Sequence, residues 1–253
     1  MNRQSTILET AQARGRVMVD ELAEVLCVSS HTVRRDINAL CAQGKLRRLH
    51  GGAEFIEGSS NLPYAARSSL NVAAKQQIAG RVAQLIPNGA TLFFSIGTTP
   101  AVVAAALAER EGLTVITNNL NAAMALSEAP GARIIMPGGE LRLPDRDILG
   151  SQAVDLFKAY RADFAIYGAA GIDNDGMLLD FHAPEVRIRQ TARDNSRQAI
   201  LVVDRSKFGR HAPAVGGYLH EADHVVTEAR PDARFSALLD ALDDRLIVVG
   251  DAS

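Results

Sequence analysis

The chain has 253 residues, 47% hydrophobic and 22% charged, with a formal net charge of −2; it can bury a sizeable core in one or two domains without disulfides or metal. Cys27 and Cys41 lack CxxC or Cys/His spacing, which argues against a disulfide scaffold or zinc motif and for reduced thiols in a cytoplasmic protein. The opening residues MNRQSTILETAQARG hold no apolar signal core, and no run approaches the roughly 18 apolar residues of a membrane span.

Three helical patterns come first. Ile7, Leu8 and Ala11 have helical spacing within 3–13, and Gly15 breaks it. Asp20 is placed to cap a second helix with Leu22, Ala23, Val25 and Leu26 inward. A short turn, Cys27-Val28-Ser29, leads to a third helix capped by Ser29 or Ser30, with Val33, Ile37, Leu40 and Cys41 as its apolar stripe. Gly44 ends it. LRRLH and AEFI then flank Gly51-Gly52, a good hairpin signal because the favoured turns need positive φ.

Helix, turn, helix and basic hairpin form a winged helix-turn-helix, expected over residues 1–57. Its charge agrees. Residues 1–52 hold eight Lys/Arg against five acids, although the whole chain is slightly acidic. Arg34 and Arg35 point away from the apolar stripe, and their planar forks suit phosphate or the guanine edge. Ser30, His31, Thr32 and Asn38 add donors, while Lys45, Arg47, Arg48 and His50 on the wing suit the DNA backbone. The alternative for the arginine pair alone is a solvated helix face. Asp36 could pair with a neighbouring arginine and orient it.

Residues 58–72, opening Gly58-Ser59-Ser60-Asn61-Leu62-Pro63, read as a linker. From 73 to 253, helices and short apolar strands alternate. Helices are expected at 75–86, 120–127, 151–160, 184–196 and 234–242, and a further helix, AVVAAALAE, follows the SIGTT turn. Strands are expected at ATLFF (90–94), LTVIT (113–117), ARIIM (132–136), ADFAIYG, AILVVD (199–204), HVVTE and RLIVVG. The pattern predicts a mostly parallel α/β sheet covered on both faces.

Ligands bind at the carboxyl ends of strands in such sheets. ATLFF ends in Ser95-Ile96-Gly97-Thr98-Thr99-Pro100, where the Thr98 and Thr99 amides and hydroxyls can surround an anion at a helix N-terminus. The alternative is an ordinary turn. Asn118 follows LTVIT, Gly138 and Gly139 follow ARIIM, and Gly171 and Asp173 follow DFAIY; Asp173 and Asp175 serve equally well as turn formers. Glu185, Arg187 and Lys207 are further candidates. Lys207 is either a point-charge phosphate ligand or a solvated lysine.

The phrase VDELAEVLCVSSHTVRRDINALCAQGKLRRLHGGA closely resembles the N-terminal winged helix of the DeoR family of bacterial repressors. The order IPNGATLF–GTT, VITNNLN, GGELR, GIDNDG, NSR and LVVDRSKFGR resembles that family's sensor domain. The resemblance implies a fold related to ribose-5-phosphate isomerase, double-stranded operator DNA as partner, a phosphorylated small-molecule effector, and a homo-oligomer, a tetramer. IPNGATLFFSIGTTP, TNNLNAA and NSRQAILVVDRSKFGR most resemble family members that answer to glycerol 3-phosphate. One departure concerns the effector. Where the family usually has an acidic residue two positions before the glycine of GTT, this chain has Ser95, with less charge and reach.

The function expected is therefore a ligand-released transcriptional repressor, not an enzyme, with no cofactor and no metal. Two other readings are open: a sugar-phosphate isomerase or deaminase with a DNA-binding arm, using Glu185, Asp173 or His182 as acid/base groups, and a constitutive DNA-binding protein whose C-terminal domain only oligomerises.

Overall fold

A computed structural model describes residues 3–14, 16–42, 45–49, 51–55 and 63–251. The chain divides into two compact units, Met1–Leu62 and Pro63–Ser253.

The first unit runs α1 (Arg3–Arg14), β1 (Arg16–Met18), α2 (Val19–Val25), α3 (Ser30–Ala42), β2 (Leu46–Leu49) and β3 (Gly52–Phe55). Its core joins Ile7 and Ala11 of α1, Leu22 of α2, Val33, Ile37 and Leu40 of α3, and Leu46 of the wing. Helical periodicity sets these partners, because each helix can bury only one stripe. The hairpin β2–β3 turns at Gly51 with φ +76°, and β1 adds a third strand against β3.

Three local expectations change. β1 was not foreseen, and α2 starts at Val19 behind Met18, with no side-chain cap; Asp20 instead accepts the Ser30 hydroxyl at 3.2 Å. Val25 is exposed rather than inward, because it lies off the face that Val19 and Leu22 bury. Asp36 pairs with Arg3 and Gln4 of α1, not with a neighbouring arginine. Gly15, Gly44 and His50 lie outside the described residues.

In the second unit the elements are α4 (Tyr64–Ser68), α5 (Val72–Leu85), β4 (Thr91–Phe94), α6 (Thr98–Ala106), β5 (Thr114–Thr117), α7 (Leu120–Ala125), β6 (Arg133–Ile135), β7 (Leu141–Arg142), β8 (Asp147–Ile148), α8 (Ser151–Ala159), β9 (Ala162–Tyr167), β10 (Gly171–Ile172), β11 (Met177–Asp180), α9 (Ala183–Asp194), β12 (Ser196–Val202), β13 (Ala214–Tyr218), β14 (His224–Thr227), α10 (Ser236–Asp240) and β15 (Leu246–Val248). Seven strands form a parallel sheet in the order β15-β14-β12-β9-β4-β5-β6.

Both faces are buried, as continuous apolar strands require. Successive residues of one strand enter opposite clusters: Phe93 packs edge-on against Phe157 at 5.1 Å on one side, while Phe94 joins Ile78 and Val103 on the other.

Two antiparallel pieces were not foreseen: the sheet β10-β11-β13 and the hairpin β7–β8. The first places GIDNDG in a hairpin turn. The expected helix at 234–242 is shorter, Ser236–Asp240 after a 3-10 turn. Residues 63–72 of the expected linker belong to the second unit, because Tyr64 is buried and its N–H donates to Pro144 O at 2.8 Å; residues 58–62 lie outside the described set.

Candidate functional site

The DNA-facing candidate is the exposed side of α3. Ser29 caps the helix by accepting the Thr32 amide at 3.2 Å, and the Thr32 hydroxyl lies 2.9 Å from the same oxygen. Val33, Asp36, Ile37 and Leu40 are buried, whereas His31, Arg34, Arg35 and Asn38 are exposed. The spacing i, i+3, i+4, i+7 puts those four on one face. Ser30 turns towards Asp20 of α2. Asp36 bonds Arg3 Nε at 2.5 Å; the Arg3 guanidinium and further hydrogen bonding hold its carboxyl below the usual range, against burial. Asp36 thus fixes α3 on α1 and leaves both arginines outward. On the wing, Arg48 is exposed and Lys45 half-buried. Arg47 lies in β2, with its side chain outside the described set.

In the second unit the chain goes from β4 outward to β5 and β6, then returns to β4's other side at β9. Open α/β sheets bind ligands beyond the carboxyl ends of the strands at such a reversal, which here falls between β4 and β9. Ser95 follows β4 and donates its amide to Ile166 O of β9 at 3.0 Å. Gly97, at φ +123°, turns the chain into α6. Among the described residues no side chain caps α6, so the Thr98 and Thr99 amides lack helical acceptors at its positive end. Both threonines are nearly buried.

Asn119, rather than Asn118, holds this loop. Its Nδ2 donates to Ser95 O at 3.2 Å and Gly97 O at 3.0 Å, while its Oδ1 caps α7. Asn118 Nδ2 donates to Ile148 O at 3.0 Å, and its fully buried Oδ1 has no hydrogen-bond partner among the described residues. Gly138 and Gly139 pack against Gln152 and Ile148. At Gly171 a Cβ would overlap the Arg210 carbonyl, so glycine serves a close backbone approach. Asp173 and Asp175 act as turn formers, accepting the amides of Asn174 and Met177.

Among the enzyme reading's candidates, Glu185 is buried at the start of α9 and bound by Arg142 Nη2 at 2.8 Å. Arg142 also grips buried Asp147 through two 2.7 Å bonds. Burial raises both carboxyl pKa values, partly offset by Arg142. His182 and Arg187 are exposed.

Lys207 sits in a cationic group on the same rim. Burial and nearby Arg210 push its ammonium down to about 7 against the pull of Asp204. Lys75 of α5 is buried; burial lowers its pKa to about 8, opposed by Asp204 and reinforced by Arg67. Burial and Arg67 lower Arg210 as well. The buried Asp204 carboxylate accepts from Asn71 Nδ2 at 3.0 Å and from Ser206. Arg210 Nη1 reaches Ala170 O at 3.2 Å, just beyond β9. Beside it, buried Asp180 accepts the Ala170 amide at 3.0 Å and pairs with Arg189 at 2.8 Å.

Of this group the sequence pattern marks Lys207 and leaves Lys75, Arg67, Arg210 and Asp180 unmarked. One signal was available: Lys75 falls on the stripe of α5 that buries Ile78, Ala79 and Val82. A lysine on such a stripe stays buried only where a partner holds it; here Nζ donates to Arg67 O at 2.5 Å.

The family description "DeoR-like helix-turn-helix domain" matches residues 3–59, and "DeoR C terminal sensor domain" matches residues 70–229. The chain belongs to the DeoR family.

It is 44% identical over 229 residues to the glycerol-3-phosphate regulon repressor of Escherichia coli (strain K12), covering 90% of this chain and 91% of that one. It is 41% identical over 230 residues to the protein of the same name from Haemophilus influenzae (strain ATCC 51907 / DSM 11121 / KW20 / Rd), covering 91% and 90%. The lactose phosphotransferase system repressor of Lactococcus lactis subsp. lactis is 31% identical over 230 residues, covering 89% and 90%.

Among solved structures, eIF2B delta from Chaetomium thermophilum gives a TM-score of 0.48 at 14% identity, covering 64% of this chain and 58% of that chain. Ribose 5-phosphate isomerase A from Methanocaldococcus jannaschii gives 0.40 at 17% identity and 55% of each chain. This DeoR-family chain thus spans little more than half of those two solved chains. The two family matches hold α3 and the wing in one and the GTT loop, Lys75, Lys207 and Arg210 in the other; α4 lies between them.

Among the described residues no helix is long and apolar enough to cross a membrane.

Proposed function

We propose that this protein is a transcriptional repressor that binds operator DNA through α3 and the wing and is released by glycerol 3-phosphate. One observation carries the effector reading: Lys75, Lys207, Arg210 and Arg67 act on one another on the rim that bears the open end of α6, with Asp204 and, towards Lys207, Asp180 as the carboxylates that offset them. Like charges held together out of bulk water, with Lys75 buried and Lys207 and Arg210 partly so, raise the energy of the ligand-free state. A phosphoryl dianion relieves it, with the Thr98 and Thr99 amides and hydroxyls completing the cradle.

Ser95, Gly97 and Asn118 line the neighbouring loops and suit the glycerol hydroxyls; the unpartnered Asn118 Oδ1 is an acceptor for one of them. Gly138, Gly139, Gly171, Asp173 and Glu185 shape the walls rather than touch the phosphate. The relatives' names support the choice of glycerol 3-phosphate.

On this reading residues 1–57 are the DNA-binding domain, and the following segment joins them to a sensor that also builds a homo-oligomer, a tetramer. Paired winged helices then meet paired half-sites. The protein performs no turnover on sugar phosphates; steady product formation from pentose or hexosamine phosphates would overturn that. Calorimetry against a panel of sugar phosphates tests the effector, with glycerol 3-phosphate giving the tightest binding. Equilibrium sedimentation tests the tetramer.

A further inference from the structure

The first described element after residue 55 is α4, and it is fastened to the hairpin β7–β8 and its turn. Tyr64 N–H donates to Pro144 O at 2.8 Å. Arg67 Nη2 donates to Asp145 Oδ1 at 2.5 Å, in a half-buried pair, and Asp145 Oδ2 lies 3.7 Å from Arg142 Nη2 of the same hairpin, a longer and weaker contact. Arg146 lies over the Tyr64 ring, 5.5 Å from its centre.

The hairpin is in turn fixed to the segment after β5 and to α9. Leu120 N–H donates to Arg146 O and Ile148 N–H to Asn118 O, both at 3.0 Å, and Arg142 holds Glu185. The other end of α4 meets the cationic group. Lys75 Nζ donates to the Arg67 carbonyl at 2.5 Å, and the Arg67 charge acts on Lys75, Lys207 and Arg210.

Arg67 therefore belongs to two assemblies at once: it pairs with a hairpin carboxylate while standing among the cations of the phosphate cradle. We propose that the Arg67–Asp145 pair is the latch that reports effector occupancy: a bound phosphoryl dianion competes with Asp145 for Arg67 and with the Arg67 carbonyl for Lys75, and so frees α4 from the hairpin.

This rests on the repressor reading above. The physical basis is relative strength. A guanidinium is drawn more strongly to a dianion than to a monoanion, and an ammonium meets a full negative charge on a phosphoryl oxygen but only a dipole on a carbonyl. In sequence α4 lies between the winged-helix match and the sensor match, so its release changes where the chain that joins the two is anchored. A ligand shifts such an equilibrium only by binding its two states differently, and this exchange supplies the difference. In the latched state Arg67 is occupied; in the released state it is given to the ligand.

The test is Asp145→Asn in the full-length protein, with operator affinity by fluorescence anisotropy and glycerol 3-phosphate affinity by calorimetry. The latch predicts opposite movements. Without ligand, operator binding weakens about fivefold or more, and glycerol 3-phosphate binding tightens, because both report one displaced equilibrium. Asp145→Glu, which keeps the charge, restores both towards the parent. General damage to the fold weakens both affinities, and that result overturns the proposal. So does operator affinity within about twofold of the parent, or an Asp145→Glu variant as impaired as Asp145→Asn; the coupling at issue is the usual fivefold or greater. If the parent gives no heat with glycerol 3-phosphate, that effector assignment falls, while the operator measurement with its Asp145→Glu control still decides the latch.

Discussion

The two units solve their recognition problems at different ranges of sequence. The DNA face of α3 comes from 8 consecutive positions, His31 to Asn38, and its geometry is set by one helix cap at Ser29 and one apolar stripe. The proposed effector rim gathers Lys75, Thr98, Asn118, and Lys207 with Arg210 from four separate segments, brought together by a sheet whose strand order reverses between β4 and β9. A face made by one helix can be read from periodicity. A rim made by topology needs the pairing of strands that are far apart in the chain.

Substitutions should separate the two units. The largest effect is expected from Arg34→Ala with Arg35→Ala: removing an arginine that reads a base edge costs about 1–3 kcal/mol, and removing one that grips a phosphate lowers the salt slope by roughly one. Glycerol 3-phosphate affinity of the free protein stays unchanged. Anisotropy at several salt concentrations checks this, and undiminished operator binding would remove α3 from its role.

Lys207→Met should do the reverse. Effector binding falls by about 1.5–3 kcal/mol, the range for hydrogen bonds to charged groups, while operator binding is spared. Because Lys207 sits among other cations, its removal also raises the melting temperature of the ligand-free second unit. A variant that loses stability together with affinity would mark Lys207 as a structural residue.

A smaller effect concerns protons. In the ligand-free protein Lys207 titrates near 7 and Lys75 near 8, both below their ordinary value near 10.5. Between those values the unfolded chain holds more protons than the folded one, so stability rises with pH from about 7 towards 10. A bound dianion restores the charged lysines. Binding at pH 8 therefore takes up protons, measurable by calorimetry in buffers of different ionisation enthalpy; release of protons there would contradict the cradle.

The smallest effect is local to the first unit. Asp36→Asn loosens α1 from α3, lowering the melting temperature of that unit slightly and leaving effector binding untouched. A matching loss of effector affinity would show that the α1–α3 pairing acts beyond its own unit.

How much of this was legible follows the same division. His31, Arg34, Arg35 and Asn38 were readable because helical spacing fixes a face whatever it packs on. Arg3 as the partner of Asp36 was not, since 33 residues separate them. The GTT loop was legible because strand, glycine, threonines and proline are contiguous. Asp173 could be placed only once β10 and β11 paired and made GIDNDG a turn.

Glu185 was found as an acid in a plausible place, but Arg142, which occupies it, comes from a hairpin that four residues of strand barely announce. Lys75 was the avoidable omission. A lysine among Ile78, Ala79 and Val82 breaks the apolar pattern of α5, and such breaks mark sites more often than errors.

The most direct test joins the two units: glycerol 3-phosphate titrated into a preformed complex of the protein with fluorescent operator DNA, for the parent and Lys207→Met. The account predicts that the parent releases the operator as the ligand is added, and that Lys207→Met binds the operator equally well but needs a much higher ligand concentration. Release at the same concentration in both proteins would contradict it.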